Sequence, residues 1–201
     1  MIEGIEKKYP AIFLLRNAQI LSEENKSENT VTGWRDIALN ESSKEEALRL
    51  ANTFSNVPIS RVYSSDLSRA RDTAKEIMRV TGAGLMTMKG LRPWNLGDFQ
   101  ETSSFVAAEM LKDYIKGYTY KPVKNGESFH IFKTRAIDAF NTILDEFEAL
   151  KKNIVIVSHY RFIKITQAWI AAGSIEYEID ADVFMKDDIP SGKIFTITLD
   201  K

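Results

Sequence analysis

The chain has 201 residues, a length that suits one domain of ordinary size. Apolar residues make up 44% and charged residues 27%, a globular composition that argues against disorder. With 27 Lys and Arg against 28 Asp and Glu, the net charge of −1 predicts no electrostatic binding to nucleic acid or to an anionic membrane. The absence of cysteine excludes disulfides, thiolate metal sites and cysteine nucleophiles.

The first apolar run carries no targeting signal. It covers residues 11–15 and stops at Arg16, whereas a secretory signal needs about 7–15 apolar residues and a membrane span about 18 or more. No other stretch of the sequence comes near these lengths. We therefore expect a soluble, cytoplasmic protein that does not associate with membranes.

Short apolar runs alternate with helical periodicity along the chain. In chain order, the sequence predicts a strand over residues 11–15, a helix over 43–54, a strand over 61–64, a helix over 66–80, a strand over 85–89 and helices over 105–115 and 129–150, the last with Ser128 as N-cap. A strand over 154–157, a helix over 162–172 and an edge or antiparallel strand over 194–199 follow. The acidic stretch 176–188 is interpreted as a solvated loop or edge.

This alternation is typical of an α/β fold. The strands are continuous apolar runs, which indicates that helices cover both faces of the sheet. We predict a three-layer sandwich with a mainly parallel central sheet, formed by residues 1–201 as one domain. Residues 91–122 are expected to form a variable lid.

Polar residues follow three of the predicted strands. Arg16 and Asn17 follow the first strand, and Arg69 lies in the first turn of the helix after the second strand. His159 comes just after the strand over residues 154–157. Ligands of α/β sheets bind at the carboxyl ends of the strands. Guanidinium groups match phosphate oxygens, and an adjacent histidine can donate to a negative charge or titrate near neutral pH. The pattern therefore favours a phosphoryl group as ligand.

The same segments resemble the signatures of the histidine phosphatase (phosphoglycerate mutase-like) superfamily. Residues 13–19 (FLLRNAQ) resemble its first strand and Arg-His motif, residues 63–74 (YSSDLSRARDTA) its second motif, and residues 155–159 (VIVSH) its late strand ending in Ser-His. Weaker matches at residues 33–36, 91–97 and 126–128 occur in the expected order. The similarity runs from about residue 11 to residue 165.

The resemblance implies a mechanism. A histidine after the first strand attacks phosphorus and forms a phosphohistidine, which water or an acceptor then discharges. Arg16, Arg69 and His159 would surround the phosphoryl group, and a carboxylate would protonate the leaving oxygen. The family implies no cofactor and no metal. The expected partner is a phosphorylated small molecule or a phosphoprotein, and the sequence does not indicate an oligomeric state.

At the position of the nucleophilic histidine, this chain has Asn17. An amide nitrogen is not a nucleophile because its lone pair is delocalised, although it can donate a hydrogen bond to phosphate. Three interpretations stay open: a natural, catalytically impaired phosphate-binding protein, which we favour; an active phosphomonoester phosphatase whose histidine was changed to asparagine; and an interaction module with a vestigial pocket. His130, in the first turn of a predicted helix, is not expected to replace the nucleophile.

The usual general acid is also absent. Many members of the family have a glutamate four residues before the glycine matched by Gly97, and this chain has Pro93 there. The candidates for an alternative acid are the carboxylates Asp36, Asp98 and Glu101. The sequence does not choose among them.

Overall fold

The computed structural model describes residues 10–19, 30–100, 102–117, 119–186 and 189–198. These residues form the strands β1 (Ala11–Arg16), β2 (Ile59–Ser64), β3 (Gly84–Thr87), β4 (Asn153–Ser158) and β5 (Ile194–Thr198). The helices are α1 (Glu41–Asn52), α2 (Ser68–Thr81), α3 (Ser104–Lys116), α4 (Phe129–Leu150), α5 (Tyr160–Ala171) and α6 (Ala181–Met185). Short 3₁₀ turns cover Lys89–Leu91 and Gly97–Phe99.

The strands form one sheet in the order β3-β2-β4-β1-β5. The first four are mutually parallel, and β5 pairs with β1 in the antiparallel direction at the sheet edge. The predicted mainly parallel sheet is confirmed, as is the prediction of an edge or antiparallel strand near the end of the chain. Leu199, the last residue of that predicted strand, lies outside the described residues.

Both faces of the sheet are covered, as the continuous apolar strands predict. Alternate residues of β1 point to opposite faces: Ile12 and Leu14 pack in a core with α4 and α5, and Phe13 and Leu15 pack in a second core with α1 and α2. Strand β4 divides its side chains in the same way. Since the side chains of β1 and β4 lie against helices on both faces, this burial stabilises the three-layer arrangement.

The predicted helix start at Ser128 is confirmed by the geometry of α4. The Ser128 hydroxyl accepts a hydrogen bond from the backbone N–H of Ile131 at 3.1 Å. Such a side chain satisfies one of the N–H groups that a helix start leaves without a partner. The phenylalanines at positions 129, 132 and 140 are then buried on one face, where the three-and-four spacing placed them.

The interpretation of residues 176–188 as a solvated loop is wrong for their middle part. Residues Ala181–Met185 form α6, and the Asp180 side chain caps it by accepting from the backbone N–H groups of Asp182 and Val183. Phe184 is buried against Phe129, with ring centroids 5.2 Å apart. Val183 and Met185 are partly buried against the same core, and the many acidic residues around them hid this apolar face from a judgement based on composition.

The predicted strand over residues 85–89 is shorter in the structure. Strand β3 ends at Thr87, and a 3₁₀ turn begins at Lys89. Between residues 91 and 122, α3 buries Ala107, Leu111 and Ile115 in the same core as α4. None of the helices in the described part of the chain is long and apolar enough to cross a membrane.

Candidate functional site

Three strand ends lie at the same level of the sheet. In the strand register, Arg16 at the end of β1 faces Ser158 at the end of β4, and Ser64 at the end of β2 faces Val157. The chain beyond β1 stays attached to this edge, since the backbone N–H of Asn17 donates to the carbonyl of Ser158 at 2.9 Å. Residues that follow these strands are therefore brought together.

Arg69 is the most buried cation at this edge. It lies in the first turn of α2, and only 2% of the residue is exposed. Its guanidinium donates to His159 Nδ1 at 3.2 Å, to the carbonyl of Arg35 at 2.7 Å and to the carbonyl of Gly33 at 2.8 Å. All three acceptors are neutral, and no carboxylate among the described residues forms an ion pair with Arg69.

Burial also sets the protonation behaviour of Arg69. Loss of hydration lowers its pKa to about 10; Asp36 opposes this shift, whereas the neighbouring positive charges of Arg16 and Arg92 add to it. At neutral pH the side chain is still charged. The structure thus holds a buried positive charge whose nearest contacts do not neutralise it, and this environment favours an anionic ligand.

His159 contacts Arg69 through one of its two ring nitrogens. Since Nδ1 accepts a hydrogen bond from Arg69, a neutral ring carries its proton on Nε2. Nε2 is buried and has no hydrogen-bond partner among the described residues. Burial, followed by the positive charges of Arg69, Arg16, Arg92 and Arg135, holds the pKa of His159 well below its usual value. The ring is therefore a neutral N–H donor.

Asn17 and Arg16 complete the cluster next to β4. Asn17 is buried, and its Nδ2 donates to the carbonyl of Ala18 at 2.7 Å. The Arg16 guanidinium donates to the carbonyl of Ile189 and lies 5.4 Å from the centroid of the Tyr160 ring. The structure thus gathers Arg16, Asn17, Arg69 and His159 at one edge of the sheet.

Two further arginines surround this cluster, and the sequence analysis missed both. Arg92 forms a two-pronged ion pair with Asp66, with both N–O distances 2.7 Å, and stacks on Trp34 at 4.6 Å from the ring centroid. The hydrogen bond from Arg92 lowers the pKa of Asp66. Arg135 forms a similar pair with Glu127, with both distances 2.9 Å. These two arginines have carboxylate partners, in contrast to Arg69.

The candidate carboxylates occupy different places. Asp36 accepts from the backbone N–H of Ser68 at 2.6 Å and from its hydroxyl at 3.1 Å, which caps α2 one residue before Arg69. Asp98 lies on the exposed surface, where it accepts from Asn125 at 2.7 Å and pairs with Lys124 at 3.2 Å. Glu101 lies outside the described residues.

The structure gives His130 and Pro93, also considered in the sequence analysis, contacts outside this cluster. The ring of His130, in the first turn of α4, stacks on Tyr120 with centroids 4.4 Å apart. The Pro93 carbonyl accepts from Trp34 Nε1 at 2.7 Å and from Arg135 at 3.2 Å. In the part of the chain that the structure describes, no group of three His, Cys, Asp or Glu side chains could hold a metal ion.

The comparison with protein families decides the identity of the fold. The family described as "Histidine phosphatase superfamily (branch 1)" matches residues 12–179. The chain belongs to the histidine phosphatase superfamily. The match begins in β1 and ends beyond α5, so it spans every strand end that forms the cluster.

The individual members of the superfamily compared with this chain share at most about a third of their aligned residues with it. The chain is 32% identical over 140 residues to phosphoglycerate mutase-like protein 4 of Arabidopsis thaliana, covering 66% of this chain and 60% of that protein. It is 30% identical over 166 residues to a 2,3-bisphosphoglycerate-dependent phosphoglycerate mutase of Protochlamydia amoebophila, covering 65% and 73%. Among solved structures, the Bacillus stearothermophilus YhfR protein has a TM-score of 0.75 at 22% identity, over 95% of this chain and 92% of that one. A phosphoglycerate mutase from Bacillus anthracis has a TM-score of 0.71 at 20% identity, over 96% and 90%.

The buried neutral ring of His159 leads to an expected pH dependence of stability. Its pKa is depressed in the folded state, so the unfolded chain takes up a proton first, and stability present above pH 6.5 is lost as the pH falls. As the pH falls from about 7.5 to about 5.5, protonation of His159 in the unfolded chain should lower the free energy of unfolding. Urea unfolding of the unmodified chain and of His159→Gln at both pH values measures this contribution, because His130 is present in both proteins. Equal acid sensitivity of the two proteins would contradict it.

Proposed function

We propose that this protein binds the phosphoryl group of a phosphorylated small molecule or phosphoprotein through Arg16, Asn17, Arg69 and His159. As its sequence stands, it hydrolyses phosphomonoesters very slowly or not at all. Asn17 occupies the position where the family places its phosphohistidine nucleophile, so the covalent step is lost. Binding is retained because the groups that would contact the phosphate are present.

The buried charge of Arg69 is the observation that carries this proposal. A guanidinium that is 2% exposed and touches only neutral acceptors bears a large desolvation cost without a charge partner. A phosphate dianion would supply that partner. The Nε2–H group of His159 lies on the other side of the same contact and would donate to a phosphate oxygen.

Arg16 would supply a second guanidinium to the anion. It donates to the carbonyl of Ile189 in the structure, a neutral acceptor that a phosphate oxygen would replace with a charge-assisted hydrogen bond. The names of the compared proteins support a phosphate ester as ligand: the relatives include phosphoglycerate mutases, and the structures include an alpha-ribazole phosphatase from Shigella flexneri.

The proposed loss of turnover has two chemical reasons. The Asn17 amide has no nucleophilic lone pair and already donates to the carbonyl of Ala18. Among the carboxylates proposed as general acid, Asp36 is engaged as the cap of α2, and Asp98 is bound to Lys124 on the surface. Neither is positioned as a free proton donor to a leaving group at Arg69.

Titration calorimetry with inorganic phosphate and with orthovanadate tests the proposal. We expect saturable binding to the unmodified chain and at least about tenfold weaker binding to Arg16→Ala, since one charged hydrogen-bond donor is removed. Lys112→Ala is the matched control, because this exposed cation on α3 pairs with Glu109. Absence of binding, together with no effect of Arg16→Ala, would refute the phosphate pocket and favour an interaction module.

A further inference from the structure

Gln100 connects the 3₁₀ turn Gly97–Phe99 to the turn at residues 33–35. Its Oε1 accepts from the backbone N–H of Trp34 at 2.7 Å and of Arg35 at 3.1 Å, and its Nε2 donates to the carbonyl of Gly97 at 3.1 Å. The orientation of the amide follows from these partners, because a backbone N–H can only donate and a carbonyl can only accept. The side chain thus makes three hydrogen bonds, two at its oxygen and one at its nitrogen.

The turn that Gln100 holds is the one that holds Arg69. The carbonyls of Gly33 and Arg35 accept two of the three hydrogen bonds of the Arg69 guanidinium. Gly33 has φ +48°, and a Cβ there would lie 2.6 Å from Gln100 Oε1. Only glycine allows the turn to approach the amide this closely in that left-handed conformation.

We propose that Gln100 is a positioning residue for the Arg69–His159 pair. Its oxygen fixes the backbone at Trp34 and Arg35, and the carbonyls of that turn orient the Arg69 guanidinium. The Nε–H of Arg69 in turn fixes the ring of His159. The effect of Gln100 on ligand binding rests on the proposed phosphate site, whereas its effect on the orientation of Arg69 and His159 does not.

The energetic basis of this connection is the number of polar groups that depend on one side chain. Without the Gln100 oxygen, the backbone N–H of Trp34 loses its acceptor and that of Arg35 keeps only the carbonyl of Thr32, at 3.0 Å, so the turn holds its carbonyls against Arg69 less firmly. A guanidinium that loses its acceptors reorients towards water. His159 then loses the donor that selects its tautomer, although Gln100 touches neither side chain in the described structure.

Imidazole ¹⁵N NMR tests the proposal without any ligand. The chain has two histidines, so His130→Gln leaves the signals of His159 alone. In this background we expect His159 to be a neutral ring protonated on Nε2, with a pKa well below its usual value. In Gln100→Leu, which lacks the acceptor, and in Gln100→Asn, whose amide is one methylene too short, we expect mixed tautomers and a pKa raised towards the usual value.

Phosphate calorimetry on the same variants gives the second measurement. We expect the dissociation constant for inorganic phosphate to rise about tenfold in both Gln100 variants and to stay unchanged in Lys112→Ala, the exposed control on α3. Folding of each variant is checked by its thermal unfolding midpoint. If a folded Gln100→Asn or Gln100→Leu keeps the His159 tautomer and pKa of the parent, the proposal is overturned. Absence of phosphate binding to the parent would refute the proposed function instead.

Discussion

Asn17→His should raise the rate of p-nitrophenyl phosphate hydrolysis by about 10³-fold or more over the unmodified chain. The substitution supplies an imidazole at the end of β1, next to the buried Arg69 and the Nε2–H of His159. An aryl phosphate is the appropriate first substrate because its leaving group departs without a proton. Alkyl phosphates, which need a general acid, should remain slow, since the position of the usual glutamate is Pro93.

Two further variants and a trapping experiment test this expectation. Asn17→Ala should be as inactive as the unmodified chain, and acid-labile phosphate should be trapped on Asn17→His during turnover. The double variant Asn17→His with Arg69→Met should lose most of the restored rate. Vigorous turnover by the unmodified chain, unchanged in Asn17→Ala, would show that the protein is an active enzyme with another nucleophile.

Arg69→Met should weaken phosphate binding by at least about 30-fold, the largest loss expected from a single substitution at the site. Methionine keeps an unbranched apolar stem, shorter than that of arginine, and lacks the charge and the donors, so the anion loses its buried counter-charge. Arg69→Lys should recover little of the affinity, because a single ammonium cannot reach His159, Gly33 and Arg35 together.

The substitution should also lower the stability of the fold. Desolvation lowers the pKa of Arg69 to about 10, so burying this charge opposes folding, while its three hydrogen bonds favour folding. We expect the free energy of unfolding to fall by about 1–3 kcal/mol, as three acceptors lose their donor. Arg71→Met is the matched control, because Arg71 lies on the same helix and contacts Ser68 on its own first turn. Equal phosphate affinity of Arg69→Met and Arg71→Met would contradict the assigned role.

Local physics made much of the fold predictable. The apolar runs at residues 11–15 and 154–157 are strands because both faces of the sheet are buried, and the three-and-four spacing after Ser128 marks α4 with its cap. Arg16, Arg69 and His159 could be grouped from the sequence because each lies at or after the end of a predicted strand. Parallel strands present their carboxyl ends at one edge of the sheet. Prediction failed at α6, an acidic segment in which Phe184 is buried and Ala181, Val183 and Met185 are partly buried against the same core.

The sequence alone was enough to predict the succession along the chain of the five strands and of helices α1–α5, the superfamily signatures and the asparagine at position 17. These follow from side-chain periodicity and residue identity, which are local properties of the chain. The tertiary structure decided which charges are neutralised: Arg92 and Arg135 pair with carboxylates, whereas Arg69 donates only to neutral acceptors among the described residues. It also decided that Gln100, 31 positions along the chain from Arg69, holds the turn that orients it. Such pairings depend on distances across the fold, and spacing along one chain does not encode them.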